Sequence, residues 1–563
     1  MNILGISCYY HDAAAVLVRD GVVVAAVEEE RFTRRKHDSR FPVESIRYCL
    51  EAGKITAQDI ESVCFYEKPF LKMERMLSVA KRYPEQSDEM VQRQLAQALN
   101  ERLFLDRVLA RQIGYSGPID YVDHHLAHAA SSYFISPFEK SVILTIDGVG
   151  EWTTTAVFKA EGNRIEKLRE IRYPHSLGLL YSVITAFLGF KVNNDEYKVM
   201  GLASYGKPVF ADKIRQLIRF RSDGSFTLDL SYFSFMYNTR CMYNDKFIAE
   251  FGAPRAPESE LTDTHRNLAA SIQEVLEESV LKLGRAAYDI SGGITDLCLA
   301  GGVALNCVAN SRLMDELPFK RCSIQPAAGD GGGAMGAALY CYYNRSGKPW
   351  VPVQEHTTLL GPEFSKDEIK SYLDSQDAAY TDYGDAIYDK TAELIEKNKI
   401  IGWFQGRMEY GPRALGNRSI VANACHPDMK EILNARVKFR EDFRPFAPAV
   451  LAEKKDDYFD IPFDSPYMLF TPKVRPGKET VIPSVTHFDN TARIQTVSES
   501  NNPRFHKLIN AFGKRTGVPV VINTSFNIRG EPIVCTPDNA YKCLLRTGID
   551  VLVIDTFLVE KEV

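Results

Sequence analysis

The chain has no run of the roughly 18 apolar residues that a membrane-spanning helix needs. Its longest apolar stretches, such as residues 22–27, are strand-length. The opening MNILGISCYYHDAAAV lacks a basic segment ahead of an apolar one, so it does not read as a signal peptide. Charge of one sign is also missing. Lys+Arg 68 against Asp+Glu 73 leaves a net charge of −5, which excludes a broad basic face for nucleic acid or anionic lipid. The eleven cysteines are odd in number, scattered and never spaced CxxC. That excludes a disulfide or zinc framework and favours reduced, buried thiols in a cytoplasmic protein. Low-complexity tracts are absent, and aromatics reach 11%, so extensive disorder is not expected. Neither a GxxxxGK[ST] phosphate loop nor the HExxH of zinc peptidases occurs.

What is present is 563 residues of ordinary globular composition, 45% hydrophobic and 25% charged. A single core stops growing at roughly 250–300 residues, so two large domains are expected. ILGIS, AAAVLV and VVVAAVEEE read as three strands, with Asp20-Gly21 as a hairpin turn. Residues 143–147 (ILTID) repeat the pattern of residues 3–7 (ILGIS) about 140 residues later, and Glu161-Gly162 falls where Asp20-Gly21 does. A repeat of that length predicts two similar α/β lobes, not a solenoid. Helices are predicted within 68–113, on apolar positions such as Leu71, Met76, Val91, Leu95 and Leu99, over 267–288, and over 334–343. The Pro- and Gly-punctuated stretch 344–352 marks the boundary, giving domains 1–345 and 356–563, the second again α/β.

Three of eleven histidines fall in Asp123-His124-His125-Leu126-Ala127-His128, an Ala-rich helix former. His124 and His128, or His125 and His128, share a helix face and can meet one metal ion; spacing alone does not choose. Asp147 ends an apolar run, and Asp330 sits between a strand and a helix. Acids at strand ends project into the crevice of an α/β sheet. A two-His, two-Asp set suits iron(II) or a similar divalent ion. Glycines at 148–150, 301–302 and 331–333 suggest backbone cradles for phosphate. GGGAMG at 331–336 matches the dinucleotide fingerprint formally, but a loop separates it from its strand and no second βαβ unit follows. In the C-terminal half, GRMEYGPRALGNRS at 406–419 holds three arginines and one acid, and VKFREDFRPF at 437–446, ARIQ at 492–495 and NTSFN at 523–527 follow, four separated basic and amide clusters that suit a phosphate pocket.

With these residues in view, the chain resembles the O-carbamoyltransferases of natural-product biosynthesis. The matching segments include ILGISCYYHDAAAVL, EEERFTRRKH, HHLAHAASSY, LTIDGVGEW, LAGGVALN, PAAGDGGGAMGAAL, GRMEYGPRALGNRS, FRPFAP, ARIQTV and NTSFNIRGEP, from residue 3 to residue 532. The resemblance implies an N-terminal duplicated domain of the actin/sugar-kinase/Hsp70 type, similar to tRNA threonylcarbamoyl-transferases, and a C-terminal YrdC-like domain. It implies that carbamoyl phosphate and ATP (with Mg) yield carbamoyl-AMP, whose carbamoyl group passes to a hydroxyl of a natural product. It further implies His124, His128, Asp147 and Asp330 as ligands of Fe(II) or a similar metal, and His11 as the catalytic histidine. Gly301, Gly302 and Asn306 would contact adenosine, with Lys36 near the phosphates. Arg413, Lys438, Arg444, Arg493, Asn523 and Ser525 would hold carbamoyl phosphate. Partners are therefore small molecules, with no nucleic acid and no membrane, and a homodimer is compatible. A small-molecule kinase of the same superfamily and a non-catalytic nucleotide- and metal-binding regulator are the alternatives. The acceptor is not legible; residues 220–257, rich in Phe, Tyr and Met, are a candidate lining or simply core.

Overall fold

The structure is a computed structural model and describes residues 1–89, 91–92, 95, 101–354 and 356–561. The chain divides into two compact units, Met1–Ala26 with Ser39–Gln354, and Val27–Asp38 with Glu355–Val563.

The first unit is built on two five-stranded sheets of the same topology. β1 (Asn2–Ser7), β2 (Ala14–Arg19), β3 (Val22–Glu28), β4 (Ser62–Phe65) and β5 (Ile119–Tyr121) lie in the order 3-2-1-4-5. β1 runs antiparallel to β2 and parallel to β4, and β4 runs parallel to β5. β6 (Lys140–Ile146), β7 (Thr153–Glu161), β8 (Arg164–Arg172), β9 (Asp296–Ala300) and β10 (Arg321–Ile324) repeat that order and those directions. β1 and β6 are each the middle strand, so both are apolar almost throughout. The repeat of ILGIS and ILTID is thus a repeat of whole sheets.

Helices connect and cover these sheets: α1 (Pro69–Arg82), α2 (Leu105–Ile113), α3 (His124–Tyr133), α4 (Asp263–Ile290) and α5 (Asp330–Ser346). Within the predicted helical stretch 68–113, Leu99 lies outside the described residues. Asp123 caps α3 by accepting from Leu126 N. α5 begins at Asp330, four residues before the predicted start, so residues 331–333 form its first turn and are not a loop. They are buried, and a Cβ on Gly332 would lie 2.2 Å from Ala327 O, one on Gly333 2.8 Å from the Tyr66 ring. These glycines allow close packing of the helix start. Gly5 and Gly336 do the same, since added Cβ atoms would meet Ala334 O at 2.0 Å and Ala127 O at 1.8 Å. In the 220–257 stretch, Phe226, Phe233, Met236, Phe247 and Phe251 are buried as core, and Phe233, Phe247 and Phe251 stack in one aromatic cluster.

The second unit carries one mixed eight-stranded sheet: β11 (Tyr380–Asp382), β12 (Ile401–Phe404), β13 (Arg418–Asn423), β14 (Ala447–Leu451), β15 (Gln495–Val497), β16 (Val520–Ser525), β17 (Val551–Ile554) and β18 (Phe557–Glu560), in the order 11-18-17-12-13-16-14-15. Trp403, Val421, Phe505, Phe512, Val521 and Val553 form its core. The stretch Val27–Asp38, expected with the first domain, groups here. Arg31 donates to Gly411 O and Arg34 to Pro532 O and Ile533 O, Glu28 accepts from Gly411 N, and Phe32 packs on Met408 and Ile533. Among the described residues, no helix is long and apolar enough to cross a membrane.

Candidate functional site

α3 presents His124 and His128 one turn apart, with both Nε2 atoms facing Asp147, just past β6, and Asp330, the first residue of α5. His124 Nε2 is 3.2 Å from Asp147 Oδ2 and 3.6 Å from Asp330 Oδ1; the His128 distances are both 3.7 Å. One ligand atom from each of the four falls within 4.8 Å of the others. His125 points elsewhere: its Nδ1 lies 2.7 Å from Thr145 Oγ1. Burial, with the two neighbouring histidines, pushes it well below the usual imidazole range. The tertiary structure thus selects the His124/His128 pair.

The set suits a divalent cation on its own chemistry. His128 Nε2 and Asp330 Oδ1 are buried without a hydrogen-bond partner although they converge on one point. Burial opposes charge on His128, yet the Asp147 and Asp330 carboxylates push it up to about 9. Burial would raise Asp147, but the two histidines hold it well below the usual carboxylate range. Four ligands without a thiolate fit a hard or borderline metal.

The surrounding residues hold this geometry. Asp147 Oδ1 accepts from Gly302 N at 2.9 Å. Gly301 has φ +90°, and a Cβ there would lie 2.3 Å from Ile146 O, so the position requires glycine. Asn306 caps the following helix through Ala309 N and pairs its amide with Gln273. His11 Nδ1 lies 2.6 Å from Asp12 Oδ2, and its Nε2 lies 3.7 Å from Asp330 Oδ2. Burial works against its charge, but Asp12, Asp330 and Asp147 push His11 up to about 10.

Three residues that sequence reasoning did not single out belong to this neighbourhood. Tyr66 donates to Asp330 Oδ2 at 3.4 Å. Glu151 accepts from His124 N at 3.1 Å and from Lys68 N at 2.7 Å, holding the start of α3. Asp12 orients His11. Only Asp12, next to its partner in sequence, carried a usable signal.

In the second unit, Lys438 is buried and donates to Ser525 O, to Asn527 O at 3.2 Å and to Asn527 Oδ1 at 3.0 Å. Burial, together with Arg440, Arg444 and Lys36, pulls its ammonium well below the usual lysine range. Lys36, expected beside the adenosine phosphates, thus lies in the second unit within the field of Lys438. Asn523 Nδ2 donates to Gln495 Oε1 at 2.7 Å and to Ala414 O at 3.2 Å, while its Oδ1 is buried without a hydrogen-bond partner. It thereby joins the segments that bear Arg413 and Arg493. Arg444 faces Glu441 at 3.6 Å. Glu409 and Arg418, neighbours of Arg413 in sequence, are structural. Glu409 accepts from the backbone of Leu415, Asn417 and Arg418, and Arg418 donates to four carbonyls.

The first unit thus combines two duplicated sheets with a candidate four-ligand metal group, and the second unit carries a buried lysine among basic and amide side chains. The chain belongs to the carbamoyltransferase family, and is a carbamoyltransferase. The family's models for the carbamoyltransferase N-terminus and C-terminus match residues 2–339 and 392–561. It is 46% identical to an uncharacterized protein of Synechocystis sp., over 100% of this chain and 97% of that one. It is 38% identical to nodulation protein NolNO of Sinorhizobium fredii, over 98% and 79%. It is 29% identical to 3'-hydroxymethylcephem-O-carbamoyltransferase of Amycolatopsis lactamdurans, over 77% and 79%.

Proposed function

We propose that this protein is an ATP-dependent O-carbamoyltransferase of the cytoplasm that works on a hydroxyl-bearing natural product. Water hydrolyses carbamoyl phosphate to carbamate and inorganic phosphate, and a carbamate oxygen attacks the α-phosphate of ATP to give carbamoyl-AMP and pyrophosphate. The acceptor hydroxyl then displaces AMP, leaving an O-carbamoyl product. The observation that carries the reading is the convergence of His11 with His124, His128, Asp147 and Asp330 in a member of this family.

Arg413, Lys438, Arg444, Arg493, Asn523 and Ser525 bind carbamoyl phosphate in the YrdC-like second unit, and Lys36 adds its charge there. Guanidinium forks match phosphate oxygens bidentately, and Asn523 Oδ1 accepts from the carbamoyl NH2. In the first unit Gly301, Gly302 and Asn306 line the nucleotide. Asp12 orients the His11 ring, and His11 Nε2 takes the proton of the attacking hydroxyl. His124, His128, Asp147 and Asp330 would hold Fe(II) or a similar cation, which supplies Lewis-acid polarisation of the carbamoyl carbonyl and offsets the carboxylate field that raises His11.

Incubation with ATP, Mg, carbamoyl phosphate and a panel of alcohols should yield AMP, pyrophosphate and a product heavier by one carbamoyl group. ADP as the released nucleotide would show a kinase instead. No carbamoyl-phosphate-dependent AMP release under any condition would leave a binding protein.

A further inference from the structure

Away from the metal cradle, the first unit holds a second cluster that the carbamoyl chemistry does not use. Cys64 on β4 pairs directly across the sheet with Asp120 on β5. Cys341 reaches the same place from the third turn of α5. The two sulfurs and a carboxylate oxygen of Asp120 fall within 4.8 Å of one another, and both thiols are buried, with 0% and 5% exposure.

Such a trio resembles a thiolate metal site, but Asp120 is already committed. Its carboxylate accepts from Ser62 Oγ at 2.6 Å and from Arg345 Nε at 2.8 Å, and Arg345 Nη2 approaches to 2.6 Å. A guanidinium beside the only oxygen ligand repels a cation and leaves the two sulfurs facing each other. The Cys64 thiol points to Asp120 Oδ2 at 3.9 Å, a route for its proton. Burial, with the neighbouring Cys341, holds Cys64 well above the usual thiol range, and the Arg345 charge opposes that rise. Asp120 and Arg345, the polar neighbours of the sulfurs, are each about one-third solvent-exposed.

We propose that Cys64 and Cys341 are a dithiol–disulfide couple oxidised by peroxide. One thiolate attacks a peroxide oxygen, breaking the O–O bond and releasing water as the sulfenic acid forms. The other sulfur then displaces the sulfenic oxygen as a second water. Two thiols and one hydrogen peroxide thus give one disulfide and two waters. The bond ties α5, whose first residue is Asp330, to β4 of the first sheet. The closed loop is long, which favours a measurable gain in thermal midpoint.

The test is brief treatment of the full-length protein with hydrogen peroxide, followed by intact mass and non-reducing peptide mapping. The expected result is a loss of two hydrogens, a single Cys64–Cys341 linked peptide, reversal by dithiothreitol, and a raised thermal midpoint for the oxidised form. Cys341→Ser should abolish the mass loss and keep basal carbamoyl transfer; if that variant does not fold, the wild-type peptide map decides alone. Linkage through other cysteines, or no loss of hydrogen, overturns the proposal. Stoichiometric zinc that is released on Cys64→Ser also overturns it, in favour of a metal site.

Discussion

Replacing Gly336 by alanine tests whether helix packing sets the metal geometry. Gly336 lies six residues after Asp330 on α5 and packs against α3 at Ala127 and Ser131, on either side of His128 in sequence. A Cβ there would sit 1.8 Å from Ala127 O and 2.7 Å from Ser131 N, and both contacts are backbone. Real Cβ atoms stay beyond 3.0 Å, so the helices must part by about 1.2 Å. Metal–ligand distances tolerate only about 0.2 Å. Asp330 would therefore leave bonding range of a cation still held by His124 and His128. Alanine gains about 1 kcal/mol in helix propensity, and overpacking costs about 1–3 kcal/mol, so stability falls modestly. Metal affinity should fall at least tenfold, as expected when a ligand is misplaced. Metal content and divalent-cation titration measure the effect, with thermal unfolding in parallel. Gly347→Ala is the control. It removes the left-handed cap of the same helix (φ +62°) where a Cβ meets nothing within 4 Å, so it should cost stability and spare the metal. Wild-type metal stoichiometry and affinity in Gly336→Ala would refute the reasoning.

Three further outcomes are expected. His11→Asn should lower carbamoyl transfer by roughly 100- to 10,000-fold and leave carbamoyl-phosphate-dependent pyrophosphate release nearly intact; loss of both together would sink the division of labour. Arg413→Ala should raise the carbamoyl phosphate requirement by about 10- to 100-fold, the worth of a charge-assisted hydrogen bond of about 1.5–3 kcal/mol. An unchanged saturation curve removes Arg413 from that site. Because the folded state depresses Lys438, it binds fewer protons there than the unfolded chain, so this residue's contribution to stability rises with pH from the depressed value toward the ordinary lysine value. A phosphate dianion beside it favours the charged form. Phosphate binding should therefore take up protons in that window and weaken as pH rises. Calorimetry in buffers of different ionisation enthalpy reads this directly, and identical heats of proton uptake near zero would refute it.

The contrast between the glycine-rich segments shows where sequence reading reached and where it stopped. Residues 331–333 carry the composition of an anion loop, yet they form a helix start because Ala327 O and the Tyr66 ring lie within 3 Å of where their side chains would be. Composition reports that backbone approaches something closely, not what it approaches. Arg418 and Arg413 are likewise indistinguishable in sequence, but Arg418 is consumed by four backbone carbonyls. Tyr66 and Glu151 gave no signal, since each meets its partner from a distant stretch of chain.

By itself the sequence determined what is local or periodic. Short apolar runs bounded by turn residues specified the strands, the ILGIS and ILTID repeat specified duplication, and four-residue spacing placed His124 and His128 on one helix face. Tertiary structure alone decided which histidine turns away, since His125 faces Thr145 on β6. It also decided that Asp147 and Asp330, 183 positions apart in sequence, meet at that face, and that residues 27–38 fold with the second unit, where Lys36 joins Lys438. These are contacts between segments distant in sequence. They follow from which surfaces bury one another, and no spacing along a single stretch encodes them.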